Sequence, residues 1–96
     1  MAFKVIVDNI AFKDIDEAVA YYHKISPQVT KRFVTDLRNA TKALAKNPFF
    51  QIRYKDYRCL PLKKFPFVIH YVVDEKRNVV NIYALINTSI DTDNWL

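Results

Sequence analysis

The sequence predicts an α+β fold: an N-terminal strand, an antiparallel helical hairpin and a three-stranded antiparallel meander, with both helices packed on one face of the sheet. Three observations carry this. A short β-branched run, FKVIV at 3–7, precedes two stretches whose apolar residues recur at helical spacing. Beyond Pro48 the period shortens to the alternation of strands. The charged tetrapeptide Asp74-Glu75-Lys76-Arg77 then separates the two longest strand-like runs, FPFVIHYVV and NVVNIYALIN, as a hairpin turn would.

Residues 3–7 form the first strand. The first helix is expected to start at Asp14, an N-cap with Glu17 three residues on, and to bury Ile15, Ala18, Val19, Tyr22 and Ile25. Ser26-Pro27 ends it and opens the next, because proline cannot continue a helix but suits the first turn of another. The second helix buries Val29, Phe33, Leu37, Ala40 and Leu44, leaving Lys31, Arg32, Asp36, Arg38 and Lys42 to solvent, and stops at Asn47-Pro48. So short a link makes the two helices an antiparallel hairpin. FFQIRYKDY, 49–57, reads as a loop with a helical turn, and RCLPL, 58–62, as a strand placed at an edge or bulge by Pro61. In the following strand Phe67, Ile69, Tyr71 and Val73 face the helices, with Val68, His70 and Val72 on the open side. In the last strand Val80, Ile82, Ala84 and Ile86 face inward, with Asn81, Tyr83, Leu85 and Asn87 outward.

Composition bounds the function. At 96 residues, with 51% hydrophobic and 15% aromatic content, residues 1–96 make one compact domain. No apolar run approaches the roughly 20 residues of a membrane span, and MAFKVIVDNI lacks a signal-peptide pattern, so a cytoplasmic address without membrane contact is expected. Glycine is absent, which excludes glycine-rich phosphate loops and leaves asparagine and aspartate to build the turns. The single cysteine, Cys59, is expected as a buried thiol, and two distant histidines give no zinc-ligand spacing, so neither metal nor cofactor is expected. The net charge is +5, and residues 51–64 hold Arg53, Lys55, Arg58, Lys63 and Lys64 against Asp56, a basic border suited to an acidic partner or to phosphate.

The order of elements and the stretch YRCLPLKKFPFVIHYVVDEKRNVVNIYALINTSIDTDNW resemble the RelE/ParE superfamily of bacterial type II toxin–antitoxin toxins, as a ParE-like variant. The likeness rests on a P-F-x-I-x-Y strand, an acidic turn and a D-x-x-x-W tail, and it spans essentially the whole chain. It implies a toxin that inhibits DNA gyrase and is neutralised by a cognate antitoxin. Two alternatives stay open: a RelE-like ribosome-dependent mRNA endoribonuclease, and a non-toxic protein- or RNA-binding module. The arginines of the RelE-type nucleases correspond to Val68 and Ile90, both apolar here, whereas Arg53, Lys55 and Arg58 stand where their other cations do. Metal-free RNA cleavage needs a base, a cation and an acid, and only His70 and Tyr83 on the open face, beside the basic border, are candidates. Arg53, Lys55, Arg58, Lys63, Lys64, Asn87 and Trp95 are the candidate partner- or phosphate-contacting residues. Trp95 is expected to fold back on the domain, because a terminal tryptophan left in water buries nothing.

Overall fold

The computed structural model describes residues 2–50, 52–54 and 56–88, the side chains of 52–54 excepted. Seven elements follow one another: β1 (Lys4–Val7), α1 (Asn9–Ile25), α2 (Pro27–Lys46), β2 (Ile52–Tyr54), β3 (Tyr57–Pro61), β4 (Phe67–Asp74) and β5 (Val79–Asn87). Short links reverse the chain at each step, so the first and seventh elements run the same way. The five strands accordingly form a mixed sheet in the order β1-β5-β4-β3-β2, in which β1 pairs parallel to β5 and every other pair is antiparallel.

α1 starts earlier than its capping pattern suggests. Asp8 is the N-cap, its carboxylate accepting the Ile10 amide at 3.1 Å, and Asp14 lies inside the helix. There it performs a different task. β1 covers β5 only through the pair Val7↔Ile82, and Asp14 Oδ2 accepts the Leu85 amide at 3.0 Å just past that point. The early start also buries Ala11, while Ile25, expected in the core, is 58% exposed at the last turn. Ser26 caps α2 as expected, accepting from the Gln28 amide at 3.1 Å with Pro27 in the first turn.

The segment expected as a loop with a helical turn contains β2, which pairs with β3 at Ile52↔Arg58 and Tyr54↔Tyr57. β3 is therefore an inner strand, and β1 and β2 are the edges. Pro61 is still tolerated, because β2 ends before reaching it and no outer neighbour needs its amide. With no glycine in the chain, the β4–β5 turn uses Asn78 at φ 55°, a left-handed position asparagine accepts, and Asp74 Oδ1 takes the Arg77 amide at 3.2 Å.

β4 faces as the alternation predicts, with Phe67, Ile69 and Tyr71 buried. β5 does so only halfway. Tyr71 pairs with Ile82 but His70 with Ala84, so Tyr83 is an extra residue in a bulge. Past it every side chain changes face: Leu85 is buried and Ile86 exposed, the reverse of the expected assignment. The core between helices and sheet is aromatic. Tyr22 and Phe33 lie 5.3 Å apart between ring centroids, and Phe65 and Phe67 pack within 6.3 Å of both.

Candidate functional site

Two surfaces meet the chemistry expected of the chain: the open face of the sheet and the basic border along β3 and the β3–β4 turn. On the open face β3 and β4 pair Tyr57 with Val72, Cys59 with His70 and Pro61 with Val68, and the bulge in β5 delivers Tyr83 beside them. Tyr83 stacks obliquely on Tyr57 at 4.9 Å and meets the His70 ring edge-on at 6.2 Å. The Cys59 thiol, half-buried and not enclosed as expected, lies 3.6 Å from His70 Nδ1.

His70 and Tyr83 are thus brought together, but their surroundings suit packing better than proton transfer. The Tyr83 hydroxyl is pushed up to about 12, first by burial and then by the neighbouring Tyr57 and Cys59. A phenol that holds its proton this firmly is a poor general base. The position that matches the nuclease arginine, Val68, is half-buried on β4 and offers no charge. Ile90 lies outside the described residues. No group of three or more metal-ligating side chains forms among the described residues.

The basic border divides. Register places Arg58 opposite Tyr71, on the helix side of the sheet. Its Nη1 donates to the Phe50 carbonyl at 2.6 Å and its guanidinium sits 5.3 Å from the Phe49 ring centre, so it clasps the segment leaving α2. Tyr71 reinforces the clasp by donating its hydroxyl to the Pro48 carbonyl at 2.7 Å; burial raises its pKa. Lys63 and Lys64 are exposed at the β3–β4 turn, and Asn87 ends β5 opposite Phe67. Arg53 is in β2, with its side chain outside the described residues, as are Lys55 and Trp95.

One residue that patterning placed in solvent organises this border. Asp36, at 6% exposure, accepts the amides of Lys64 and Phe65 at 2.9 and 3.0 Å and so pins the turn to α2. Its position next to the apolar stripe was the available signal, since a buried carboxylate persists only where several donors meet it.

The ParE toxin family of type II toxin–antitoxin systems, parDE, matches residues 5–92. No curated protein matches the chain. Among solved structures it is similar to the chromosomal ParDE toxin–antitoxin system from P. aeruginosa, at TM-score 0.75 and 20% identity, covering 90% of this chain and 96% of that one. It is also similar to the RelBE2 toxin–antitoxin complex from Mycobacterium tuberculosis, at TM-score 0.62 and 15% identity, covering 91% and 99%. At these identities the structural likeness speaks for the fold, whereas the family match extends over nearly every element described above. The chain belongs to the ParE toxin family of type II toxin–antitoxin systems.

Proposed function

We propose that this ParE-like toxin acts in the cytoplasm by binding and inhibiting DNA gyrase, without catalysis of its own, and that a cognate antitoxin neutralises it. The observation that carries the reading is the family match over residues 5–92. The sheet adds support: Val68 replaces a cation on the open face, and on the helix side the Arg58 guanidinium is committed to the Phe50 carbonyl. An endoribonuclease would need those groups available. The antitoxin reading draws on the neighbours, which are a ParDE system and a toxin–antitoxin complex. For such a partner the chain offers the edges β1 and β2, with Phe49 and Tyr57 at 46% and 41% exposure as anchors. Lys63 and Lys64, with Arg53, Lys55, Asn87 and Trp95, would orient the encounter.

Induced expression in a bacterial host tests the target, with DNA supercoiling and radiolabelled amino-acid incorporation followed in parallel. Loss of supercoiling before translation falters is the expected outcome. Early arrest of translation would instead favour the endoribonuclease, and healthy growth a non-toxic binding module.

A further inference from the structure

The outward face of α2 is a charged surface of one sign. Lys31, Arg32, Arg38, Lys42 and Lys46 are all exposed, and the only carboxylate on the helix, Asp36, is buried and occupied by two backbone amides. At about 100° per residue Lys31, Arg38, Lys42 and Lys46 fall within an arc of about 80°, and at 1.5 Å rise they span about 22 Å. The β3–β4 turn extends the row. Lys64 joins Lys31, Arg32, Thr35 and Asn39 around a cavity of about 180 Å³ whose floor is Asp36. Among the described residues the ion pair is Arg77–Asp74, so none of these cations is paired with a described carboxylate.

We propose that this face binds the phosphate backbone of duplex DNA without regard to sequence. Charge complementarity is the first argument: a row of cations with interspersed hydroxyl and amide donors is what phosphate contacts use. Composition excludes the other occupants. The only aromatic residue of α2, Phe33, is fully buried, so the face has no ring on which unpaired bases could stack. It also lacks the apolar centre a protein partner needs. The major groove of B-form DNA, about 12 Å wide, admits a helix ridge, whereas that of duplex RNA is too narrow. The inference does not depend on the gyrase reading, because purified chain and DNA suffice to test it.

Fluorescence anisotropy with 20-base-pair DNA of mixed sequence, over a salt series, is the experiment. With about five phosphates engaged, log affinity is expected to fall with log salt at a slope of about −4.5, roughly 500-fold between 50 and 200 mM. Lys31→Gln with Lys42→Gln keeps the helix and the aliphatic stems while removing two charges, and should flatten the slope by about 1.8. Lys13→Gln with Lys24→Gln on α1 should leave it unchanged. Equal thermal midpoints for the variants confirm that folding is intact. A slope near zero, an α1 pair as damaging as the α2 pair, or tighter binding to duplex RNA or to a single strand of equal length would each overturn the proposal.

Discussion

The two helices pack on the same sheet, yet they meet solvent with opposite chemistry. α1 exposes Ile10, Phe12, Tyr21 and Ile25 at 58–66%, among Lys13, Lys24, Asp16 and Glu17 of both signs. Of its charged residues, α2 exposes cations alone. Towards the sheet they agree: each turns one aspartate inward to hold backbone that no strand covers, Asp14 to Leu85 and Asp36 to Lys64 and Phe65. Inner faces answer to the need of buried amides for acceptors, which both helices share. Outer faces are free of that need and diverge with whatever each must meet.

The strongest way to break this pairing is at Asp36. Asp36→Ala strands two part-buried amides and should cost about 2–4 kcal/mol in urea unfolding, with Asp36→Asn recovering part of the loss because its carbonyl still accepts. A cost under 0.5 kcal/mol would mean that water replaces the carboxylate. Asp14→Ala, with one bond in a half-buried setting, should cost about 1 kcal/mol, and amide exchange at Leu85 should quicken selectively. If Asp14→Ala proved the more damaging, the helices would not be anchored in the proportion their burial implies. The smallest effect is expected on the outer face of α1, where Ile10→Ser with Ile25→Ser should change stability by less than about 0.5 kcal/mol per site and leave DNA affinity alone. Lost DNA affinity in that variant would erase the division of labour between the helices.

Much of the architecture was legible. The Ser26-Pro27 junction, the end of α2 at Asn47-Pro48, the tetrapeptide turn and the inward face of β4 all follow from local chemistry, and all stand in the structure. The misreadings share one cause. Asp14 satisfies a capping pattern, but Asp8 lies at the actual exit from β1; Ala84, Leu85 and Ile86 follow perfect alternation, but the bulge at Tyr83 shifts it. Of the candidate site, the co-location of His70 and Tyr83 on the open face was readable from alternation up to the bulge. The inward turn of Arg58 was not, since nothing nearby in sequence shows that β2 would pair outside β3 and leave Arg58 facing Phe50.

The sequence by itself determined the α+β class, the helical hairpin, the basic character and the family likeness, because periodicity, caps and charge act over a few residues. Only the tertiary structure decided that the sheet is mixed, that Asp36 is buried and that Arg58 is a clasp while the cations of α2 stay in water. Those outcomes depend on which backbone amides and carbonyls lack a strand partner once the sheet has closed, and that shortage exists only in the folded chain.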